Sequence, residues 1–228
     1  MFGANTRSNY FDLKLLEYEE LPSETIDGSR VYTTPKGDRY PSVTTILSSM
    51  KAKQIAEWRS RVGEEKANKI SSYASSRGTK VHNILEKYVR NDEDFAEGVM
   101  PTHISMFNTI RGYLDNYCDE IYGIECPLYS DRLRTAGRCD LIGRIHGIRT
   151  IGDFKTSTNV KKEEWIDNYF YQCTAYALML QERHGLWCPQ ICVMIATEND
   201  GLQTFVKQTK QFVEPVEQYF MEWHQQRN

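Results

Sequence analysis

Apolar residues repeat with helical spacing in five parts of the chain. The clearest run follows Arg77-Gly78-Thr79 and ends near the acidic stretch 91–97; its apolar side chains are three and four residues apart, which places them on one helix face. The members of this run are Val81, Ile84, Leu85, Tyr88 and Val89. Similar spacing predicts the other helices at residues 51–70, 102–122, 163–184 and 213–226.

Shorter apolar or alternating stretches predict strands. They cover residues 125–129, 133–143, 149–156, 191–197 and 202–207. His146-Gly147 is typical of a two-residue hairpin turn between the second and third strands. Residues 40–47 combine an extended entry with a Ser or Thr that can cap the start of a helix. The order of elements predicts an α/β fold with a central mixed sheet flanked by helices.

The chain has 228 residues with no internal repeat and no linker, which predicts one domain. Within it we expect an N-terminal helical extension at residues 1–70, an αβββαββ core at 71–210 and a closing helix at 211–228. No apolar run approaches the ~18 residues of a membrane span, and the amino terminus lacks the basic and apolar segments of a secretion signal. We therefore expect an intracellular protein without membrane contact. Its six cysteines include no C-x2-C pair and are interpreted as buried free thiols.

The net charge of −3 excludes proteins that coat nucleic acid through bulk positive charge. This average hides an asymmetry between two neighbouring segments. Residues 51–90 hold ten Lys and Arg against four Glu, a net charge of +6, whereas residues 91–131 hold nine Asp and Glu against one Arg, a net charge of −8. A locally basic groove is therefore still allowed.

Two aspartates on the predicted hairpin indicate a cation site. If His146-Gly147 is the turn, counting outward places Asp140 directly opposite Asp153. Opposed side chains on one face of an antiparallel pair lie about 5 Å apart, and two carboxylates at that separation repel by roughly 3 kcal/mol at an effective dielectric of about 20. Folding alone would not favour the pairing, but a hard divalent cation between the carboxylates would. One carboxylate pKa should rise when the metal is absent.

Other polar residues accompany this pair. Lys155 lies two residues after Asp153, on the same face of the strand, where its ammonium can contact a phosphate or help to orient and deprotonate a water. His82 and Glu86 are one helical turn apart. Each string alone is weak, because most Asp-x-Lys triplets are solvated surface and an isolated His on an amphipathic helix is usually a structural polar residue.

The ordered set of motifs resembles a nuclease family. The motifs are His82-x3-Glu86, Gly137-x2-Asp140, Asp153-Phe154-Lys155 and Gln172-x3-Tyr176, in the order typical of the RecB-like branch of the PD-(D/E)XK (restriction-endonuclease-like) superfamily. Residues 40–47, 58–67, 77–82 and 153–157 also resemble the mitochondrial genome maintenance exonucleases and their phage-encoded relatives. The resemblance spans about residues 30–180 and implies the PD-(D/E)XK core fold.

The resemblance implies a metal-dependent exonuclease that hydrolyses DNA phosphodiesters and prefers single strands with a free end. It implies that His82, Asp140, Asp153 and the backbone carbonyl of Phe154 bind Mg²⁺ or Mn²⁺, and that Lys155 positions the nucleophilic water. The other implied catalytic residues, which hold the Lys155 region and the substrate phosphate or supply a further acid, are Gln172, Tyr176 and Glu86. Glu125 is a weaker candidate acid, with a strand-edge carboxylate as the equal alternative.

The basic segment supplies candidate nucleic-acid contacts. Arg77, immediately ahead of the helix that carries His82, is the preferred contact, and such phosphate contacts would make binding salt-dependent. Trp58 could stack on an unpaired base, although packing within the fold is the interpretation that we favour. The other candidates are Arg59, Lys80 and Ser157.

Two other functions stay open: a flap or single-strand endonuclease with the same metal site, and a non-catalytic module that binds single-stranded DNA. No iron–sulfur cluster is expected, because no cysteine precedes the helical His as it does in relatives that carry one. Acidic residues near the amino terminus are unlike a mitochondrial transit peptide. This favours a phage or bacterial relative in a bacterial cytoplasm, acting as a monomer in DNA replication, recombination or repair, with any partner protein unidentified.

Overall fold

A computed structural model describes residues 10–227. Residues 1–9 of the predicted N-terminal extension and residue 228 of the predicted closing helix lie outside the described residues. The described chain is a mixed α/β structure around a six-stranded sheet. In spatial order its strands are β1 (Asp12–Leu13), β5 (Cys118–Ser130), β6 (Thr135–Ile145), β7 (Ile148–Ser157), β8 (Gln190–Thr197) and β9 (Leu202–Gln208). The β1–β5 and β7–β8 pairs are parallel and the other three pairs are antiparallel, so the sheet is mixed as the sequence predicts.

Along the described chain, four helices precede β5, one lies between β7 and β8, and one follows β9. The helices are α1 (Val43–Ser48), α2 (Ala52–Val62), α3 (Glu64–Val89), α4 (Pro101–Tyr117), α5 (Asp167–His184) and α6 (Val213–Gln225). Apolar side chains of α1, α5 and α6 pack on one face of this sheet, and those of α3 and α4 pack on the other.

The β6–β7 hairpin has the predicted register near its turn. His146 and Gly147 have φ of +54° and +74°, as a two-residue hairpin turn requires, and Ile145 pairs with Ile148. The ladder ends at Leu141–Gly152, one pair before the two aspartates. Beyond that pair, the two strands separate to follow β5 and β8. Asp140 and Asp153 are therefore not a ladder pair, which corrects the predicted direct opposition.

Two predicted helix boundaries are wrong. The predicted helix 102–122 ends at Tyr117, because Cys118 begins β5, which is seven residues longer at its start than predicted. Edge strand β1 pairs with this part of β5, a long-range contact that local spacing cannot reveal. The other error concerns α3, which begins at Glu64 and runs continuously through Arg77-Gly78-Thr79. The true break is at Gly63, whose φ of +86° separates α2 from α3.

The predicted N-terminal helical extension contains a small antiparallel sheet. Its strands are β2 (Ser23–Ile26), β3 (Ser29–Thr33) and β4 (Arg39–Pro41), in the order β2-β3-β4. The strands are short and mostly exposed, so the alternation of buried and exposed residues that would predict them is weak. The predicted cap after them is correct: the Ser42 hydroxyl accepts a hydrogen bond from Thr45 N at the start of α1.

All six cysteines are buried free thiols, as the sequence predicts. Among the described residues, no helix combines the length and apolar character that crossing a bilayer requires.

Candidate metal centre

A cleft of about 850 Å³ opens between the small sheet and the large one. We call it the metal cleft. Residues of α1, α3, α5 and the central strands β5, β6 and β7 line it, and Arg30 and Tyr32 of β3 form part of its wall. Segments far apart in sequence therefore converge on one space, and most of the predicted catalytic and metal-binding residues line it.

Three of these segments bring His82, Glu125 and Asp140 together. His82 Nδ1 lies 3.7 Å from Asp140 Oδ2 and 3.9 Å from Glu125 Oε1, and one ligand atom from each residue fits within 4.8 Å of the others. These residues come from α3, β5 and β6. The carboxylate of Glu125, which the sequence marks as a weaker candidate acid, therefore lies beside His82 and Asp140.

A hydrogen bond to the backbone of β7 orients the His82 ring. His82 Nε2 lies 2.6 Å from the carbonyl oxygen of Phe154. Because a carbonyl can only accept, the proton is on Nε2, which leaves the Nδ1 lone pair of a neutral ring facing the two carboxylates. The Phe154 carbonyl, a predicted metal ligand, accepts this hydrogen bond and so fixes the tautomer of a candidate ligand.

Asp153 and Lys155 form an ion pair beside this group. Lys155 Nζ lies 2.5 Å from Asp153 Oδ1, and Gln172 Nε2 donates to the same oxygen at 2.9 Å. Asp153 Oδ2 is buried and has no hydrogen-bond partner. Asp140 Oδ2 accepts a hydrogen bond of 2.8 Å from Phe154 N. The backbone of β7 therefore links the His82 side of the cleft to the Asp153 side.

Burial and neighbouring charges shift three pKa values in this group. Burial raises the pKa of Asp153 to about 6, and Asp140 adds to the rise although Lys155 opposes it. Burial alone would lower the pKa of Lys155, but Asp153 and Asp140 together raise it above its usual value. Burial also works to lower the pKa of His82, but Asp140 and Glu125 outweigh it and raise the value to about 8. A raised carboxylate pKa was predicted, but burial contributes more to it than repulsion does.

Glu125 has an unusual backbone conformation. Its φ of +47° lies in the left-handed region that residues other than glycine seldom adopt. Two guanidinium groups occupy the nearby carbonyls: Arg138 donates to Glu125 O at 2.9 Å and Arg90 donates to Ile124 O at 3.1 Å. Strain of this kind often occurs at functional sites. Here it accompanies a carboxylate that lies beside His82.

Two predicted catalytic residues lie at the rim or the floor of the cleft. Glu86 lines the metal cleft but pairs with Arg90 one helical turn later, at 3.1 Å. Tyr176 is buried, and its ring lies so close to Gly137 that a Cβ there would come within 2.6 Å of the Tyr176 hydroxyl. The Gly137 motif is therefore explained by the approach of Tyr176 from α5.

Two predicted DNA contacts are buried, which corrects the choice of Arg77 as the best contact. Arg77 is 4% exposed, pairs with Glu198, and donates to Thr158 Oγ1 at 3.0 Å. Ser157 is also buried, and its hydroxyl donates to Asn159 O. The contacts of Arg77 join α3 to the ends of β7 and β8, whereas the contact of Ser157 lies within the turn after β7.

The other three predicted contacts remain accessible in part. Lys80 is exposed, Trp58 is half-buried, and Arg59 is bound to Glu64 and Asn68. None of the three lines the metal cleft.

Sequence reasoning missed Tyr169. Its ring lies 5.1 Å from Lys155 Nζ, and it lines the metal cleft. The signal was available, because Tyr169 precedes Gln172 by three residues and Tyr176 by seven, a spacing that puts all three on one face of α5.

The donor groups fit a divalent cation. The Nδ1 lone pair of a neutral His82 ring and two carboxylate oxygens suit such an ion, which would displace the Nδ1 proton on binding. The buried oxygen Asp153 Oδ2 has no partner, an arrangement that costs free energy unless a further group satisfies it. The acidic group is therefore a candidate metal centre, with His82, Glu125 and Asp140 as its closest members.

Comparisons with known proteins give little further guidance. No protein-family model and no curated protein matches the chain. Among solved structures, the crystal structure of a "Putative exonuclease" from Eubacterium rectale is 12% identical over 64% of this chain, with a TM-score of 0.44. The match spans 66% of that chain, just under two thirds. At this level the likeness assigns no family, so function has to be inferred from the residues of the metal cleft.

Proposed function

We propose that the protein is a metal-dependent nuclease that hydrolyses phosphodiester bonds. The observation that carries this proposal is the convergence, in one open cleft, of His82, Glu125 and Asp140 with the buried pair Asp153–Lys155. Acidic groups that hold a divalent cation beside a buried ammonium suit a negatively charged phosphate substrate.

The chain's own residues have distinct tasks in this proposal. His82, Glu125 and Asp140 hold Mg²⁺ or Mn²⁺, with Asp153 Oδ2 as a further donor. When bound, the cation polarises a phosphoryl oxygen and lowers the pKa of water. Lys155 keeps its proton because Asp153 and Asp140 raise its pKa, so it acts as a fixed cation that binds phosphate or orients water. Gln172 holds Asp153, and Tyr169 contacts Lys155.

More specifically, we propose that the protein is an exonuclease of the PD-(D/E)XK superfamily. It prefers single-stranded DNA with a free end and acts in replication, recombination or repair. The ordered motifs support this assignment, since each of the four contributes a residue to the lining of the metal cleft: His82, Asp140, Lys155 and Gln172. The test is digestion of linear single-stranded, linear double-stranded and circular DNA with Mg²⁺, Mn²⁺ or a chelator. Degradation of circular strands would contradict the need for a free end, and cleavage in the chelator would contradict the metal requirement.

Lys155→Met tests the mechanism directly. The substitution keeps most of the side-chain volume and removes the charge, so cleavage should fall by at least about 100-fold while the protein stays folded. Lys210→Met is the matched control, because Lys210 is exposed and lies outside the metal cleft. A Lys155→Met protein that cleaves at the wild-type rate would refute the assigned role.

A further inference from the structure

A second cleft lies behind the wall of the metal cleft. It has a volume of about 340 Å³ and lies between β3, β4, the turn before β6 and the end of α6. We call it the arginine pocket. Neighbouring residues of the same segments line the two spaces: Arg30 and Thr44 line the metal cleft, whereas Val31 and Thr45 line the arginine pocket. One layer of chain therefore separates them.

Three guanidinium groups line the arginine pocket. They belong to Arg39, Arg134 and Arg227. Arg39 pairs with Glu24, but within residues 10–227 neither Arg134 nor Arg227 forms an ion pair. Other exposed arginines nearby do have acidic partners: Arg132, two residues before Arg134, pairs with Glu217. Two guanidinium groups that share a pocket without a carboxylate repel each other, which favours an anionic ligand between them.

Local contacts hold Arg227 and the turn that carries Arg134 in place. His224 Nε2 lies 3.1 Å from Leu133 O, which ties the end of α6 to the turn that carries Arg134. The Arg227 guanidinium lies over the Trp223 ring at 4.1 Å. Burial lowers the pKa of His224, and Arg134 and Arg227 lower it further, so both charges lie near this neutral ring. The cationic surface is thus positioned before any ligand binds.

We propose that the arginine pocket binds the phosphate backbone of the nucleic-acid substrate, at a part of the strand that lies outside the metal cleft. Guanidinium groups suit this ligand because their paired donors match the oxygens of a phosphate. Arg30 lies on the metal-cleft side of β3, one residue from the lining of the pocket, and marks the route between the two spaces. The proposal rests on the proposed nuclease function and adds a second, sequence-independent anchor for the substrate.

Strand length provides the test. The full chain without metal is titrated with fluorescent single strands, one of about four nucleotides that fits the metal cleft and one several times longer. The double variant Arg134→Ala/Arg227→Ala should bind the long strand roughly tenfold more weakly and the short strand as wild type does. Each lost phosphate contact removes about 0.7 from the slope of log affinity against log salt, so this slope should fall by about 1.4.

Arg132→Ala is the matched control, since Arg132 lies only two residues before Arg134 but outside the arginine pocket. Thermal unfolding of each variant checks that both exposed substitutions leave the fold intact. Long-strand affinity and salt slope equal to wild type in the double variant would overturn the proposal. An equal loss for long and short strands would also overturn it, because the arginines would then belong to the contacts of the metal cleft.

Two further measurements, binding of inorganic phosphate and cleavage of DNA, distinguish the remaining explanations. If inorganic phosphate binds wild type and not the double variant while long-strand affinity is unchanged, the pocket serves a free phosphate and the strand assignment is wrong. If wild type cleaves no DNA with Mg²⁺ or Mn²⁺ but the double variant still loses affinity for long strands, the nuclease function fails and the anchor stands.

Discussion

Glu125 is the residue whose role the structure changes most. Its carboxylate lies 3.9 Å from His82 Nδ1, whereas Asp153 is held by Lys155 and Gln172. We expect Glu125→Gln to raise the dissociation constant of Mn²⁺ at least about tenfold in isothermal titration calorimetry, because a candidate charged ligand is lost. Glu86→Gln is the control, since Glu86 lines the same cleft but pairs with Arg90. Equal losses in the two variants would contradict this distinction.

The raised pKa of Asp153 predicts a pH dependence of stability in the metal-free protein. The value of about 6 lies above the ~3.9 of an unfolded aspartate, so the folded state binds more protons between these two pH values. The free energy of unfolding should therefore fall as pH rises from 4 to 6, by up to about 3 kcal/mol. Urea denaturation across this range measures it. Asp153→Asn should remove this contribution, and saturating Mn²⁺ should reduce it; an unchanged slope in Asp153→Asn would contradict the assignment.

Gly137 illustrates a constraint of packing alone. A Cβ at this position would lie 2.6 Å from the Tyr176 hydroxyl and 3.0 Å from a ring carbon. Gly137→Ala should lower the free energy of unfolding by about 1–3 kcal/mol in urea denaturation. Adding Tyr176→Phe removes the closest atom and should recover part of that loss. Losses that simply add in the double variant would show that the two positions do not interact.

At the scale of elements, local signals predicted what depends on local geometry. The two-residue turn at His146-Gly147 was sufficient for the β6–β7 register as far as Leu141–Gly152. Local spacing failed at residues 118–122, where pairing with β1 and β6 makes β5 longer, and at residues 71–76, where α3 continues although none of these residues is buried. A helix face without a buried stripe gives the sequence no apolar period to detect.

The Arg77–Glu198 pair joins α3 to the end of β8. Arg77 also contacts Thr156 and Thr158 around the end of β7, so its loss should loosen the wall that carries His82. We expect Arg77→Met to lower the free energy of unfolding by roughly 2–3 kcal/mol. This is less than the usual cost of breaking a fully buried ion pair, because the Glu198 side chain is a quarter exposed. Arg77→Met/Glu198→Gln should lose less in urea denaturation, since no unpaired carboxylate remains. Identical losses would show that the unpaired Glu198 carboxylate costs nothing.

For the whole molecule, the sequence predicted most candidate site residues but not which of them meet. His82, Asp140 and Lys155 line the metal cleft and Asp153 pairs with Lys155, as their ordered motifs suggest. Glu125 rather than another acid lies beside His82 because of the register in which β5 pairs with β6. The loop between these two strands has no sequence feature that predicts this register. Burial of Arg77 depends likewise on the ends of β7 and β8. Both features are long-range consequences of the sheet.

The basic segment predicts how the whole surface attracts nucleic acid. No residue of α2 is buried, and among the described residues Lys53, Arg61 and Lys66 on α2 and the start of α3 form no ion pair. If they contact the backbone of a single strand, Lys53→Ala/Arg61→Ala/Lys66→Ala should reduce the salt slope of binding by about 2. The control Lys36→Ala/Arg132→Ala/Lys210→Ala changes net charge equally at other exposed positions. Equal salt slopes for the two variants would mean that net charge, rather than the α2–α3 surface, governs binding.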